Sequence, residues 1–355
     1  MWLAGYSERI EVVIPPTQVS GTLSQFSVPL YIRNNAGLND YDLSFLFNEL
    51  GIHYSGIVVT LSDGVTQANV EVDYWDNAGQ SGLLWVTHSS LSLSDSANTV
   101  LYIYYDSNII NSNVSMHNSN AWDSNYVSIW HFNDDSGNYI DTKGNNNLSF
   151  VGSPVRTYGS LSKAVRFIGT NADYLQCSSP NNLPTGGNAR TIEAKFYPVA
   201  YTSQWQCICG YGTPQANSQT SALEYAIDST KGFIVLGWTD DYLDPIVRSL
   251  NQWYYVAFTL ESNTVKLYVN GQYVGSKSVS WNTVLNSNGL TVGELLDDDG
   301  YHGKTDGYLE ELRISNVARS PEYFYTTNNA LNDQLCNYSL ERRGVIFARQ
   351  IIIRR

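Results

Sequence analysis

Residues 265–274 read Val-Lys-Leu-Tyr-Val-Asn-Gly-Gln-Tyr-Val. Apolar and polar side chains alternate around Asn270-Gly271, and an Asn-Gly pair between two such runs is typical of a β-hairpin with a type I′ turn. The run before it, residues 253–260, is rich in aromatic and β-branched residues and is expected to supply the neighbouring strand. An antiparallel sheet is therefore predicted around this hairpin.

Similar short, β-rich runs occur along most of the chain. Clear examples in the first part lie at residues 10–14, 26–32, 70–75, 84–87 and 99–105. Short strands at this spacing, separated by turn-forming clusters, are typical of a β-sandwich. One short helix is predicted at residues 42–50, where leucine and phenylalanine recur at helical spacing. The predicted fold class is all-β.

A polar segment divides the chain. Residues 107–120 are mostly Asn and Ser and are low in complexity, which indicates a domain boundary. The predicted organisation has four parts: a small β-sandwich at 1–110, a linker at 111–120, a second β-rich domain at 121–330 and a strand-forming basic tail at 331–355.

Charge and hydropathy exclude several classes of protein. The 355 residues contain 20 Lys plus Arg and 33 Asp plus Glu, so the net charge is −13. A chain this acidic repels phosphate backbones, and we expect no nucleic-acid binding. No apolar run approaches the roughly 18 residues of a membrane span. The first residues lack the basic and apolar parts of a secretion signal, so none is predicted.

The four cysteines are expected to be free thiols. Cys207 and Cys209 stand two residues apart, which predicts that both thiols lie on one face of a strand. The repeated Cys-x-x-Cys spacing of a zinc site is absent from the sequence.

The end of the sequence combines basic and apolar residues. Arginines bracket two strand-like runs, which are Val345, Ile346 and Phe347, and Ile351, Ile352 and Ile353. An unpaired strand of this kind is an aggregation hazard. It is expected either to complete a sheet of its own chain or to dock on a partner.

The first part of the chain resembles a known domain. Residues 2–14, the Trp-Asp step in 74–80, the Leu-Trp-Val run at 84–86 and the Leu-Tyr-Ile-Tyr-Tyr run at 101–105 are similar to a small β-sandwich domain of unknown function. That domain commonly precedes laminin G-like modules.

Residues 120–330 resemble a concanavalin A-like, laminin G-type jelly roll. The similar motifs, in the family's order, are Val127–Asn133, Asp141–Asn147, Ala164–Phe167, Trp253–Val274 and Gly307–Ser320. The resemblance implies a jelly-roll sandwich for the second domain. The tandem of these two domains is frequent in microbial surface proteins and in structural proteins of tailed phages.

The resemblance also implies one structural Ca²⁺. Residue by residue, its ligands map to Asp141, Asn145 or Asn146, and Glu310, although the family usually has Asp where Glu310 stands. Hard cations prefer such oxygen ligands. The alternative is that Asp141 and the Asn run only form Asx-turns.

Two acidic loops carry aromatic neighbours that suit sugar binding. They contain Trp238, Asp240 and Asp241, and Asp298, Asp299 and Tyr301. Carboxylates accept hydrogen bonds from sugar hydroxyls while aromatic rings stack on apolar sugar faces. The alternative is that both loops are solvated tips. Among the tryptophans, Trp205, Trp238 and Trp281 lie near predicted loops, and the others are expected to pack in the core.

The concanavalin A-like fold also hosts glycosidases, which need two facing carboxylates. The usual strand motif, Glu-x-Asp-x-x-Glu, contains three acids and is absent from the sequence. The segment from Glu224 to Asp228 has only two acids. The neighbours Glu310 and Glu311 are expected to point to opposite faces of their strand. We therefore expect no enzymatic activity.

The sequence thus predicts a non-enzymatic virion surface protein, as a capsid decoration, fibre or tail component. It would assemble in the host cytoplasm, as an oligomer or within a larger particle, with other virion proteins and host-surface glycans as partners. One alternative is a carbohydrate-binding or adhesion module at the cell surface or secreted. A glycosidase is the other.

Overall fold

The computed structural model describes residues 1–202, 204–226, 228–297 and 302–343, and these are nearly all β-structure. The first strands are β1 (Glu8–Ile14), β2 (Thr22–Ser24), β3 (Val28–Ile32), β4 (Ile57–Leu61), β5 (Asn69–Asp76), β6 (Ser81–Thr87), β7 (Ser92–Ser94), β8 (Thr99–Tyr105) and β9 (Val114–Ser115). Helix α1 (Phe45–Leu50) lies within the predicted helical segment. The predicted all-β class is confirmed.

The second set contains more strands than the first. These are β10 (Tyr126–Trp130), β11 (Ser149–Val151), β12 (Val155–Tyr158), β13 (Lys163–Phe167), β14 (Tyr174–Cys177), β15 (Arg190–Pro198), β16 (Trp205–Gly212), β17 (Thr220–Tyr225), β18 (Phe233–Leu236), β19 (Tyr242–Leu243), β20 (Tyr254–Glu261), β21 (Thr264–Val269), β22 (Gln272–Ser278), β23 (Leu290–Val292), β24 (His302–Gly303) and β25 (Gly307–Ser315). Helix α2 (Pro321–Leu331) and strand β26 (Asn337–Arg342) follow.

Two large sheets form the jelly roll. The front sheet has the order β12-β13-β25-β15-β20-β21-β22, and β10 also pairs with β25. The back sheet has the order β11-β14-β23-β16-β17-β18-β19, and β24 also pairs with β16. Alternate residues of both sheets, including Trp130, Phe196 and Phe258, are fully buried in the core between them.

The predicted hairpin is present between β21 and β22. Asn270 and Gly271 both have positive φ, at 50° and 75°. A type I′ turn requires these values, and Asn and Gly reach them at low cost.

The N-terminal sandwich is discontinuous in sequence. One sheet has the order β26-β1-β8-β4, and the other has the order β3-β6-β5-β9. Strand β26 pairs antiparallel with β1, from Glu8 opposite Arg342 to Val13 opposite Asn337. Residues 337–342, which fall within the predicted strand-forming tail at 331–355, therefore complete a sheet of this sandwich. The predicted docking residues Val345, Ile346, Phe347, Ile351, Ile352 and Ile353 lie outside the described residues.

The predicted linker at 111–120 also belongs to this sandwich. Strand β9 pairs with β5, and Asn118 Nδ2 donates to the carbonyls of Val70 and Asn113 at 3.0 Å. The Asn side chains thus satisfy backbone groups of neighbouring strands. For this reason, a segment with the composition of a linker is a packed part of the fold.

Helix α2 lies against the front sheet beside the N-terminal sandwich. Its first turn is capped by Ser320, whose hydroxyl accepts from Tyr323 N, and Pro321 occupies the first helical position. Tyr323 and Phe324 share a core with residues of the N-terminal sandwich and of the front sheet. The outer face of the front sheet is therefore largely covered by the rest of the chain.

A β-bulge in β16 changes which of its side chains share a face. A bulge between Cys207 and Cys209 places Cys209 in the jelly-roll core and Cys207 in a separate cluster outside it. The prediction that both thiols share one face is wrong, because the extra residue of a bulge shifts the alternation by one.

No helix among the described residues is long and apolar enough to cross a membrane.

We predict that Tyr338→Ala destabilises the N-terminal sandwich. Tyr338 is buried in β26, and its backbone exchanges hydrogen bonds with the Asn39 side chain, at 2.8 and 3.1 Å. Truncating a buried aromatic residue costs about 3–5 kcal/mol. Thermal unfolding should show a melting temperature lower by several degrees. Tyr273→Ala, at an exposed site on edge strand β22, is the control, and equal melting temperatures of the two variants would contradict the role of β26.

Candidate functional site

A buried group of charged residues lies between the two sandwiches. Glu71 and Asp73 come from β5, His131 directly follows β10, and Glu311 and Arg313 come from β25, and all five are at most 3% exposed. His131 Nδ1 lies 2.5 Å from Glu311 Oε1, and Arg313 Nη2 lies 2.5 Å from Glu311 Oε2. We call this group the interface cluster.

A bulge in β25 creates the interface cluster. Glu311 has a φ of +55°, and the pairing of β15 with β25 shifts register there. Leu309 and Leu312 face the jelly-roll core, so Glu310 and Glu311 both point to the outer face. The prediction that these two carboxylates point to opposite faces is therefore wrong.

Every member of the interface cluster has polar or aromatic partners. Trp122 Nε1 donates to Glu71, and Trp85 Nε1 donates to Asp73 Oδ2 at 3.1 Å. The Arg313 guanidinium lies over both indole rings, 4.6 and 4.8 Å from their centroids. Buried charges are tolerated when they are paired and hydrogen-bonded in this way.

The surroundings shift the pKa values of His131, Asp73 and Glu311 in different directions. Burial by itself lowers the pKa of His131, but the carboxylates of Glu311, Asp73 and Glu71 raise it well above its ordinary value. Burial raises the pKa of Asp73 to about 7. Burial also opposes ionisation of Glu311, but His131 and Arg313 together lower the pKa of Glu311 to about 2.

Among the described residues, Asp73, His131 and Glu311 form a group that could hold a metal ion by its spacing, since their ligand atoms lie within 4.8 Å of one another. Each is already engaged by protein partners, and the Arg313 cation is bonded to Glu311 at 2.5 Å. These contacts make the cluster an ion-pair network that joins the two sandwiches.

Next to the interface cluster, one part of the outer face of the front sheet remains open to solvent. There it forms a cleft of about 420 Å³, within the range of about 300–1,000 Å³ that is usual for small-ligand sites. Its lining consists of Thr157, Tyr158, Gly159, Tyr197, Val199, Asn251, Trp253 and Tyr308. We call this the aromatic cleft.

The aromatic rings of the cleft come from neighbouring strands. Tyr308 on β25 lies opposite Tyr197 on β15, and their ring centroids are 5.6 Å apart. Trp253, just before β20, lies 5.5 Å from Tyr197. Tyr158 ends β12 and is 68% exposed. The rings thus form a row across the sheet with their faces partly open.

Gly159 anchors the exposed wall of the cleft. A Cβ at this position would lie 1.8 Å from Glu310 Oε2 and would displace that carboxylate. The same carboxylate accepts hydrogen bonds from Ser160 N at 2.9 Å and from Leu161 N at 3.3 Å, and it pairs with Lys195 Nζ at 3.5 Å. Glu310 therefore holds the turn that carries Tyr158.

The four residues predicted to bind Ca²⁺ fall into two groups. The Asp141 carboxylate accepts from the backbone N–H groups of Ile129, Lys143, Asn145 and Asn146 at 2.8–3.1 Å. Asn146 Nδ2 donates to Ser128 Oγ and to a backbone carbonyl, and Glu310 bonds to Ser160 and Lys195. The carboxylates of Asp141 and Glu310 are thus surrounded by hydrogen-bond donors, and such surroundings do not suit a cation. Calcium binding stays a prediction from sequence.

The predicted sugar-binding loop at Trp238 lies away from the aromatic cleft. Trp238 packs against the cluster outside the back sheet. Asp240 pairs with Lys277 at 3.0 Å, and Asp241 accepts from Gly237 N at 2.9 Å. These contacts shape the loop itself. Asp298, Asp299 and Tyr301 lie outside the described residues, so that part of the prediction stays open.

Sequence reasoning missed the aromatic cleft. Trp253 was expected in the core because it adjoins a strand, and the three tyrosines were not singled out. The available signal was alternation. Tyr197 stands one residue after the core residue Phe196, and Tyr308 one residue before the core residue Leu309, which places both on the outer face.

Residues 169–323 match the concanavalin A-like lectin/glucanases superfamily, in its family Laminin_G_3. This segment is a concanavalin A-like jelly roll, as the resemblance implied. No curated protein matches the sequence of the chain.

Several solved structures are similar to the chain. One is domain 4 of AbnA, a GH43 extracellular arabinanase from Geobacillus stearothermophilus, in complex with arabinotriose, with 18% identity and a TM-score of 0.45 over 56% of this chain and 96% of that one. Another is the binding domain of Paraclostridial Mosquitocidal Protein 1, with 15% identity and a TM-score of 0.46 over 58% of this chain and 52% of that one. The binding domain of botulinum neurotoxin serotype D has 14% identity and a TM-score of 0.43, over 58% and 51%. The chain spans about half the length of these two toxin binding domains.

We predict that Asp141→Asn destabilises the jelly roll equally in calcium buffer and in EDTA. The substitution turns an NH₂ group toward backbone N–H donors, and a buried donor without a partner costs about 1–3 kcal/mol. Thermal unfolding in both buffers measures this. A calcium-dependent rise in the melting temperature of the unchanged chain that is lost in Asp141→Asn would instead support the calcium site.

We predict that stability is highest at mildly acidic pH. Because the folded pKa of Asp73 is about 7, against an ordinary value of about 4, folding takes up a proton between these values. The free energy of unfolding therefore falls as pH rises through this window. The contribution of His131 is complete below about pH 6.5 and is lost at higher pH. That of Glu311 is lost as pH falls from about 4 to its folded pKa of about 2.

Urea unfolding across pH 3 to 9 tests this, with Asp73→Asn as the variant. The asparagine keeps the shape of the side chain but cannot titrate, so the slope between pH 4 and 7 should flatten. Glu49→Gln, at an exposed carboxyl, should keep the slope. An unchanged slope in Asp73→Asn would show that another group controls it.

Proposed function

We propose that the chain is a non-enzymatic glycan-binding surface protein whose aromatic cleft receives the sugar. The row of Tyr308, Tyr197 and Trp253 with Tyr158 at its edge carries this proposal. Partly exposed tyrosine and tryptophan rings offer apolar faces together with polar groups at their tips. Hydroxyl and amide groups of Thr157 and Asn251 lie beside them. A sugar ring presents the matching combination of apolar faces and hydroxyl groups.

The positions of the carboxylates support binding without catalysis. None of the described residues that line the cleft is Asp or Glu, and glycoside hydrolysis ordinarily needs two carboxylates about 5–10 Å apart. Glu193 is buried beneath Tyr255 and Tyr323, whose hydroxyls donate to it. Glu224 lies buried on β17 of the other sheet. Neither reaches the cleft.

In this proposal the chain is part of a virion surface, as a decoration, fibre or tail component that presents the jelly roll to host glycans. The support is the resemblance of both domains to the tandem found in structural proteins of tailed phages. Other virion proteins are the partners in this arrangement. The competing candidate is an adhesion module at a cell surface. An antibody against the chain should label particles purified from the source, whereas labelling of cell envelopes alone would favour the adhesion module.

We predict that replacing aromatic residues of the cleft weakens glycan binding. The purified chain should bind saturably to host-type surface polysaccharides and their oligosaccharides. Trp253→Ala and Tyr158→Ala should each weaken binding about tenfold or more, because truncation of a central aromatic contact costs about 2 kcal/mol. Isothermal titration calorimetry measures this, in calcium and then in EDTA.

The matched control is Tyr273→Ala, an exposed tyrosine of the same sheet on edge strand β22. Tyr158→Ala keeps the test valid if Trp253→Ala unfolds, since Tyr158 is mostly exposed. Absence of saturable binding to every glycan, or equal losses in all three variants, would contradict glycan binding at this cleft.

A further inference from the structure

The charge of the aromatic cleft restricts its ligand. Its lining side chains are aromatic, aliphatic, hydroxyl or amide groups, and the described lining holds neither a basic nor an acidic residue. A sugar that carries a carboxylate, sulfate or phosphate would lose water there without gaining a counterion. Burying an unpaired charge is far more costly than burying a hydroxyl that finds a hydrogen bond.

Two cations that contact rings of the cleft are already paired. Arg166 Nη2 lies 2.5 Å from Asp306 Oδ1, and its guanidinium packs over Tyr308, 5.0 Å from the ring centroid. Its side chain is 16% exposed. The Asp306 carboxylate therefore already neutralises this positive charge.

The second cation lies deeper. Lys195 Nζ is 5.8 Å from the Trp253 ring centroid, and the side chain is only 5% exposed. It pairs with Glu310 at 3.5 Å, and it donates to Ser160 Oγ at 2.5 Å and to the Leu331 carbonyl at 3.2 Å. Two hydrogen bonds and the Glu310 carboxylate thus hold the buried ammonium and neutralise its charge within the protein.

The whole chain adds a repulsion of the same sign. Its net charge of −13 disfavours the approach of polyanions, most strongly at low ionic strength. The uncharged lining of the cleft and the negative charge of the whole chain therefore both favour uncharged ligands over anionic ones.

We propose that the aromatic cleft selects uncharged oligosaccharides and excludes uronic, sialylated, sulfated and phosphorylated ones. This inference rests on the proposed glycan binding and adds the class of glycan. Affinity comes from ring faces and neutral hydrogen bonds. Binding of the neutral ligand is consequently almost independent of salt concentration.

Matched ligand pairs test the inference on the full chain by isothermal titration calorimetry. One pair is lactose and sialyllactose. The other is a neutral cello-oligosaccharide and its counterpart oxidised to the carboxylate at C6. Of the two pairs, the neutral member that binds should bind at least tenfold more tightly than its acidic partner. Its Kd should change less than twofold between low and high salt.

A charge-introducing variant provides an independent readout. Thr157→Lys places an unpaired ammonium at the cleft wall on edge strand β12, where a long side chain reaches solvent. The ratio of the affinities for the neutral and the acidic ligand should fall at least fivefold, because the acidic ligand binds more tightly. This effect should disappear at high salt. Thr157→Gln removes the same hydroxyl without adding a charge and is the matched control: any loss of affinity should fall equally on both ligands, so the ratio of their Kd values should stay that of the unchanged chain.

The two proposals fail in different ways. If an acidic glycan binds as tightly as its neutral partner and loses this affinity in Trp253→Ala, the cleft binds glycans but the inferred selectivity is wrong. If Thr157→Lys leaves the preference unchanged, the inferred basis of selectivity is also wrong. If no glycan of either class binds, glycan binding itself is wrong.

Discussion

The ion pair between His131 of the jelly roll and Glu71 of the N-terminal sandwich, with Nε2 and Oε2 3.3 Å apart, is the contact on which the arrangement of the two sandwiches depends. Glu311 holds His131 in place for it, because a single left-handed residue in β25 turns two successive glutamates to the same face. Glu311 then joins the N-terminal sandwich through His131 and Glu71, while Glu310 holds the turn beside Tyr158. One backbone irregularity thus supplies both the interface and a wall of the cleft.

Burying this many charges has a cost, and the structure indicates what offsets it. Removing one partner of a buried pair typically costs about 3–5 kcal/mol, whereas an apolar replacement of the whole group is often neutral. A network of this kind therefore contributes little net stability but strongly disfavours other orientations of the two sandwiches. An orientation that moved Glu71 and Asp73 away from His131 would break the ion pairs that join the two sandwiches.

The parts of the fold that sequence could predict are those set by local chemistry. Asn270-Gly271 encodes its turn by itself, and the apolar spacing around α1 needs no distant partner. The bulges at Cys207 and Glu311 were missed because alternation assumes one residue per position, and a bulge depends on pairing with a distant strand. The position of Trp253 was missed for a similar reason, since a strand-flanking tryptophan has the same sequence context in a core and on an open face.

Composition does not fix the domain organisation, because the organisation depends on topology. Composition changes at 107–120 and again near the C-terminal end, but composition does not reveal that residues 337–342 return to pair with β1. Helix α2 was not predicted, and the destination of the strand after it was set only by packing against Gly37, Asn39 and β1.

The pairing of β1 with β26 has a mechanical consequence. Glu8 lies opposite Arg342, so the chain enters and leaves this sandwich at the same end of one antiparallel pair. Tension between the two sides would pass directly across that pair and would open its hydrogen bonds one at a time. The jelly roll, inserted between them, stays outside the path of the force. Its cleft would keep its shape under a pulling load until the β1–β26 pair had come apart.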